Sequence, residues 1–138
     1  MVQGAVLPLL VAGGRAQLIP GLCRRWRPMV ERGNGCLEEY WTAGPGLGSR
    51  CHAWSATPTY DLSTHVLGIR PAAPGWERIE IVPELGDLDW AEGEVPTPFG
   101  PVRARFGDRA WVEIPDGVTA SVRYAGQVRD CGPGRTEL

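Results

Sequence analysis

The spacing of apolar residues changes near the middle of this chain. Before residues 68–75, apolar side chains recur at helical spacing, as Val6 and Leu9 do. After them, short segments such as 78–82 and 102–106 alternate between apolar and polar residues, which is typical of strands with one buried face. Glycine and proline turn signals separate these segments. The sequence therefore predicts an α+β chain in which helices precede a small antiparallel β-sandwich of about six strands.

The first half predicts three helices, over residues 6–13, 15–32 and 52–66. Pro20 and Pro28 fall inside the second helix, where we expect a bend or shortened ends. Each helix has to bury an apolar stripe against another layer, and three helices cannot enclose a core alone. The pattern therefore favours further helical partners on the N-terminal side.

Charge and motifs exclude several classes of function. The net charge is −2 and all 14 basic residues are arginine, so a nucleic-acid-binding surface is not expected. The cysteines, at positions 23, 36, 51 and 131, match no metal or redox spacing, so we expect free thiols and no metal. The apolar run 5–11 is too short to span a membrane and follows no basic residue. We therefore expect a cytoplasmic protein with no membrane partner. The sequence contains no phosphate-loop or dinucleotide-binding motif, so we expect no cofactor.

Residues 36–54 hold the densest set of residues with useful chemistry. A carboxylate pair, an adjacent aromatic pair, a glycine-rich stretch and a histidine all fall within this segment. Such a mixture is typical of a pocket rim, because binding and catalytic residues are often carried on loops.

Several short motifs then occur in a recognisable order. They are the segments 48–56, 66–71, 74–76, 85–88 and 93–100. Together they resemble the C-terminal end of bacterial α-L-rhamnosidases, which have an (α/α)6 six-hairpin catalytic barrel followed by a β-sandwich. The resemblance implies that residues 1–70 are the last helices of such a barrel and that residues 71–138 are the C-terminal β-sandwich domain.

The resemblance also implies a catalytic residue. The family places its general base in a Thr-x-Trp-Glu-x-Trp pattern, and Glu39, Tyr40 and Trp41 match the Glu-x-Trp end. Glu39 is therefore the candidate base. Cys36 and Glu38 depart from the pattern, and Glu38 becomes the alternative if the register shifts by one. On a helix, neighbouring side chains diverge by about 100°, so only one of the two would face a pocket.

Four further residues are candidates for binding substrate. His52 is expected to hydrogen-bond a sugar hydroxyl, to orient Glu39, or to serve a structural role. Arg50 is expected to pair with one of the two glutamates or with another rim residue. Trp41 and Trp54 are expected to stack on a deoxy sugar or to fill a core. The remaining tryptophans of the second half, Trp76, Trp90 and Trp111, are predicted to fill core or interdomain space. We predict no metal-ligating residue.

The resemblance thus implies the C-terminal part of an inverting hydrolase acting on terminal α-L-rhamnosides. It would carry the general base and depend on an upstream barrel segment for the general acid. In inverting enzymes the carboxyl groups of the acid and the base lie roughly 6.5 to 9.5 Å apart. Without that segment it would be inactive. The alternatives are a non-catalytic carbohydrate-binding or structural β-sandwich module and an inactive gene fragment.

Overall fold

The computed structural model describes residues 3–33, 35–41 and 48–138. Its first half consists of short helices. The α-helices are α1 (Gln3–Ala12), α2 (Ile19–Cys23), α3 (Arg27–Glu31) and α4 (Thr57–Asp61). The 3-10 turns are Ala16–Leu18, Arg24–Trp26, Ala53–Ser55 and Pro74–Trp76, and a π-helical turn covers Leu62–Val66.

Proline positions explain why the predicted helix over residues 15–32 is broken. Pro20 and Pro28 lie in the first turns of α2 and α3, where the missing N–H costs no helical hydrogen bond. The 3-10 turn Arg24–Trp26 joins these two helices. The helix predicted over residues 52–66 is likewise divided, into a 3-10 turn, α4 and the π-helical turn.

The second half forms two four-stranded sheets. The strands are β1 (Ile69–Pro71), β2 (Arg78–Ile81), β3 (Ala91–Thr97), β4 (Gly100–Phe106), β5 (Trp111–Ile114), β6 (Thr119–Tyr124), β7 (Gln127–Cys131) and β8 (Gly134–Glu137). One sheet has the order β1-β2-β6-β7 and the other β3-β4-β5-β8. Every pair is antiparallel except β2 with β6. The predicted α+β class and the sandwich are confirmed, with eight strands in the described residues where about six were expected.

Alternation along the strands builds the core of the sandwich. On β4, Val102, Ala104 and Phe106 are fully buried, whereas Arg103 and Arg105 face outward. The core also includes these buried residues: Leu67, Ile69, Ile79, Ile81, Val112, Ile114, Val118, Ala120, Val122 and Cys131. The outward arginines form ion pairs with glutamates on the neighbouring strands β3 and β5.

A smaller core joins the helices to the sandwich. Leu7, Ile19 and Val66 are buried together, and Leu88 and Ala91 pack against them. Because Ala91 also packs against the sandwich core, it contacts both clusters. The helical half is therefore attached to the sandwich through packed apolar side chains.

The tryptophans of the sandwich do not share one role. Trp76 packs against the sandwich core, as predicted. Trp90 is 54% exposed, so the prediction that it fills a core is wrong, and its ring instead lies 4.8 Å from the guanidinium carbon of Arg105. Trp111 is buried beneath the guanidinium of Arg135, 4.1 Å from its ring. Arginine stacking keeps the last two rings on the polar face of the sheet.

Two further sequence predictions concern the whole chain. All four cysteines are unpaired, as predicted. Among the described residues, no helix combines the length and the hydropathy that crossing a membrane requires.

Replacing Phe106 should test the sandwich core directly. Its ring is fully buried and lies 5.1 Å from that of Tyr124, so Phe106→Ala should lower the free energy of unfolding by about 3–5 kcal/mol. Phe99 is 42% exposed, so Phe99→Ala is the matched control and should cost about 0.5 kcal/mol or less. Urea denaturation of both variants measures the difference. Equal losses would contradict the assignment of Phe106 to the core.

Asp61 is a buried acid beneath the helices. It is 1% exposed, its Oδ2 has no hydrogen-bond partner among the described residues, and its Oδ1 lies 3.9 Å from Nε2 of His65. Burial raises the pKa of the Asp61 carboxyl. Burial, and secondarily the charge of Asp61, raises the pKa of the Cys23 thiol to about 11. Burial, and secondarily the charge of Arg70, lowers the pKa of His65.

The raised pKa of Asp61 predicts a pH-dependent stability. The folded chain binds the proton of the Asp61 carboxyl more tightly than the unfolded chain does. The resulting contribution to the free energy of unfolding is therefore complete below the unfolded pKa of aspartate. It is lost as the pH rises through the folded pKa. Asp61→Asn should therefore flatten the fall in unfolding midpoint on going from acidic to neutral pH. The exposed Asp116→Asn is the control, and an unchanged slope in Asp61→Asn would contradict the prediction.

Candidate functional site

Two irregular segments run side by side and hold most of the candidate residues. The His52 N–H donates to the carbonyl of Leu37 at 2.8 Å, and the Glu39 N–H donates to the carbonyl of Ser49 at 3.0 Å. The Cys36 thiol donates to a carbonyl of the second segment at 2.7 Å. This pairing brings Glu39 and His52 together although they are 13 positions apart in the sequence.

The Glu39 carboxylate lies between a backbone donor and an imidazole. Its Oε2 accepts a hydrogen bond from the Ser49 N–H at 2.9 Å and lies 3.9 Å from Nδ1 of His52. The Ser49 N–H is the main cause that lowers the pKa of Glu39; the positive charge of His52 and the Tyr40 hydroxyl add to it, while burial opposes it. The side chain is 24% exposed. The site therefore holds an ionised carboxylate that water can reach.

Gly48 makes this close approach possible. Its φ is +67°, a left-handed conformation that favours glycine. A Cβ here would lie 2.7 Å from Oε2 of Glu39 and 2.6 Å from the ring carbon Cε2 of Tyr40. Gly48 and Ser49 lie in the motif 48–56, but the sequence predicted no role for either residue. Their positions shortly before His52 in the sequence were the one indication that they belong to the site. Only the fold shows their contact with the Glu39 carboxylate.

Glu38 has a different environment from that of Glu39. Its Oε2 accepts a hydrogen bond from Nη2 of Arg32 at 2.7 Å, and the two side chains are 15% and 27% exposed. Arg32 also donates from Nη1 to the carbonyl of Trp41 at 3.3 Å. Residues 36–41 form no helix, so helical divergence does not separate the two glutamates. They are separated because each side chain has its own partner.

Trp41 is packed against the helical half. Its ring meets the ring of Trp26 edge-on, with centroids 5.7 Å apart, and the guanidinium carbon of Arg25 lies 4.1 Å from its centroid. Trp26 is buried and donates from Nε1 to the carbonyl of Ser55 at 2.7 Å. These contacts anchor the segment that carries Glu39. Arg25 occupies one face of the Trp41 ring, so stacking of a sugar on Trp41 would use the other face.

Trp54 and Arg50 lie at the periphery. Trp54 is 72% exposed in the 3-10 turn Ala53–Ser55, with its ring accessible to a ligand. Arg50 is exposed, and within the described ranges it forms no ion pair with either glutamate. The pairing of Arg50 with Glu38 or Glu39 is therefore not found, and Arg32 is the cation that binds Glu38.

The arrangement suits proton abstraction from water. An ionised carboxylate with a neighbouring imidazole can accept a proton while the imidazole hydrogen-bonds the substrate or the carboxylate. In the part of the chain that the structure describes, no three metal-ligating side chains cluster.

Comparison with known proteins gives a family match. Residues 68–138 match the family model described as the bacterial alpha-L-rhamnosidase C-terminal domain. An alpha-L-rhamnosidase from Alteromonas sp. (strain LOR) is 33% identical over 78 residues, which cover 56% of this chain and 8% of that protein.

Solved structures show the same fold. The alpha-L-rhamnosidase of Streptomyces avermitilis, solved with L-rhamnose, superposes with a TM-score of 0.73 at 20% identity, over 96% of this chain and 17% of that one. The GH78 rhamnosidase of Bacillus sp. GL1 gives a TM-score of 0.64 at 29% identity, over 85% of this chain and 14% of that one. The chain therefore spans less than a fifth of the length of each of these proteins.

Substitution of Gly48 should disturb Glu39 specifically. Gly48→Ala and Gly126→Ala both place alanine at a positive φ, and each should cost about 1–2 kcal/mol of stability. A Cβ at Gly126 meets no atom within 4 Å, so it is the matched control. Only Gly48→Ala should displace Glu39 from the Ser49 N–H and raise its pKa toward the ordinary glutamate value. Carboxyl ¹³C titration measures this pKa, and equal pKa values in both variants would contradict the role of Gly48.

Proposed function

Because the chain belongs to the bacterial α-L-rhamnosidase C-terminal domain family, we propose that it is the C-terminal part of an inverting α-L-rhamnosidase-like glycoside hydrolase that acts on terminal α-L-rhamnosides. Glu39 is its general base. The observation that supports this role is the placement of the Glu39 carboxylate, hydrogen-bonded to the Ser49 N–H and 3.9 Å from His52.

The chemistry follows from the ionisation of Glu39. An inverting glycosidase needs a carboxylate base that takes a proton from water as the water attacks the anomeric carbon. The hydrogen bond from Ser49 favours the charged form, so Glu39 is ready to accept that proton near neutral pH. His52 is placed to hydrogen-bond a sugar hydroxyl or to orient the carboxylate, and the exposed Trp54 offers an apolar surface to a deoxy sugar.

A second carboxyl group has to protonate the leaving group. Glu38 is held by Arg32, and Asp61 is buried beneath the helices, so neither is available as that acid. We propose that the acid comes from an upstream catalytic-barrel segment. Two carboxyl groups suffice for this reaction, so the proposal includes no metal and no cofactor.

Exposed apolar side chains in the helical half support a barrel partner. Apart from Trp54, which is proposed to face the sugar, the large apolar residues exposed in the described helical half are Leu9, Leu18, Val30, Tyr40, Tyr60 and Leu62. Further helices packed on these positions would remove them from water. We therefore propose that residues 1–70 are the last helices of an (α/α)6 barrel and that residues 71–138 are its C-terminal β-sandwich domain. The cytoplasmic location stays a prediction from the sequence.

Substitution of Glu39 tests the proposed base. In a protein that joins this chain to a rhamnosidase catalytic barrel, Glu39→Gln should lower kcat for 4-nitrophenyl α-L-rhamnoside by about 100-fold or more, because the amide cannot accept the proton. Glu31→Gln, at an exposed ion pair with Arg27, is the matched control and should change kcat little. Glu38→Gln should retain far more activity than Glu39→Gln. A reversed order would transfer the role of base to Glu38.

A carbohydrate-binding role for the sandwich is the second candidate function. The observation that favours it is an open groove of about 410 Å³ on the outer face of the β3-β4-β5-β8 sheet. The groove is lined by Arg105, Asp108, Arg109, Trp111, Arg135 and Glu137. Paired donors and acceptors beside the ring of Trp111 suit sugar hydroxyls. Titration of the whole chain with L-rhamnose, followed by NMR, separates the two candidates: shifts confined to this groove would favour the binding module, and shifts at Ser49 and His52 would favour the catalytic site.

A further inference from the structure

Arg32 contacts the segment of the candidate base at two points. It follows the last residue of α3 and was not among the residues singled out from the sequence. Its Nη2 donates to Oε2 of Glu38 at 2.7 Å, and its Nη1 donates to the carbonyl of Trp41 at 3.3 Å. Both charged side chains of the ion pair are largely buried, so solvent screens this contact less than an exposed pair.

These two contacts lie on either side of Glu39. The residue before it is held through its side chain, and the residue two positions after it is held through its backbone. Glu38 and Glu39 have different partners: Arg32 binds Glu38, whereas the Ser49 N–H and His52 lie beside the Glu39 carboxylate. A Glu38 side chain bound to Arg32 therefore leaves the contacts with Ser49 and His52 to Glu39.

Packing fixes the same end of the segment. Trp41 lies against Trp26 and Arg25, which belong to the helical part that precedes Arg32. The described helical residues thus hold the segment through an ion pair, a hydrogen bond to a backbone carbonyl, an edge-on ring contact and a cation–π contact. The pairing with the segment of Ser49 holds it from the opposite side.

We propose that Arg32 is a positioning residue for Glu39. It brackets the base by binding Glu38 and the Trp41 carbonyl with one guanidinium, and so keeps Glu38 out of the site and Glu39 in it. This inference rests on the proposed function, because it takes Glu39 as the base. Arginine suits the role because its planar guanidinium donates from two nitrogens in fixed directions, whereas a lysine ammonium acts as a point charge.

The direction in which the pKa of Glu39 changes in a Glu38 variant tests whether Arg32 positions Glu39. Glu38→Ala removes a negative charge next to Glu39, and charge alone would lower the pKa of Glu39. Loss of the contact between Arg32 and Glu38 should instead raise the pKa of Glu39, because it loosens the hydrogen bond from the Ser49 N–H to the Glu39 carboxylate. We expect the carboxyl ¹³C titration of the full chain to show a raised pKa for Glu39, with faster hydrogen exchange of the Ser49 amide. A lowered or unchanged pKa would overturn the proposal.

Glu31→Ala is the matched control for this experiment. Glu31 lies on α3 in an exposed ion pair with Arg27, so its loss should leave the pKa of Glu39 and the exchange of Ser49 unchanged. Amide spectra of the sandwich residues verify that each variant is folded. An equal rise of the Glu39 pKa in the control would overturn the specific role of Glu38 and Arg32.

Arg32→Lys separates position from charge. It keeps the positive charge near Glu39 but cannot hold both acceptors in the same geometry. We expect the pKa of Glu39 to rise, as in Glu38→Ala, with Arg27→Lys as the unaffected control. A wild-type pKa of Glu39 in Arg32→Lys would show that only the positive charge matters, and it would overturn the proposed positioning role of Arg32.

Activity measurements distinguish this inference from the proposed function. In the protein joined to a catalytic barrel, Arg32→Lys should lower kcat with little change in KM, since Arg32 acts through Glu39. If Glu39→Gln leaves hydrolysis intact, the proposed function fails, whereas the effect of Arg32 on the Glu39 pKa can still be measured in the chain. If Glu39→Gln abolishes hydrolysis and Arg32→Lys changes neither kcat nor the pKa, only the inference about Arg32 fails.

Discussion

Two hydrogen bonds of opposite direction join Glu39 to Ser49, and the candidate site depends on them. The Glu39 N–H donates to the Ser49 carbonyl, and the Ser49 N–H donates to the Glu39 carboxylate. The first aligns the two irregular segments, and the second stabilises the charged form of the acid. A side chain at Gly48 would disturb the second bond, because its Cβ would lie 2.7 Å from Oε2 of Glu39. A backbone contact thereby determines both the position of Glu39 and its protonation state.

The sandwich gives this irregular region a stable support. Val66 belongs to the helical cluster, and the next residue, Leu67, belongs to the core of the sandwich. The two cores are thus adjacent along the backbone as well as in space. Gly68 follows at a φ of +73°, where a Cβ would collide with the backbone of Val82. The helices that carry the candidate site are consequently held close to the first strands.

Local patterns predicted the parts of the fold that local burial determines. The alternation of Val102, Ala104 and Phe106 with arginines predicted β4 correctly, because a strand with one buried face has a period of two. Pro20 and Pro28 predicted the breaks in the helical half, because proline has no N–H to donate. The family motif singled out Glu39 together with Trp41, and His52 was a separate candidate for binding a sugar hydroxyl or orienting Glu39. In the structure His52 lies beside Glu39, and Trp41 anchors the segment that carries it.

Partners that are distant in sequence could not be predicted in this way. Arg50 was expected to pair with a glutamate or with another rim residue, but among the described residues Arg32 binds Glu38 and His52 lies beside Glu39. Trp90 lies at the surface beside an arginine. The sequence by itself determined that helices precede strands and that prolines interrupt the helices, since these depend on periodicity and on backbone chemistry. The pair of candidate acids came from the resemblance to a family. Only the tertiary structure gave the two acids different partners, because residues 36–41 lack a regular period and their side chains are directed by contacts with Arg32 and with the segment of Ser49.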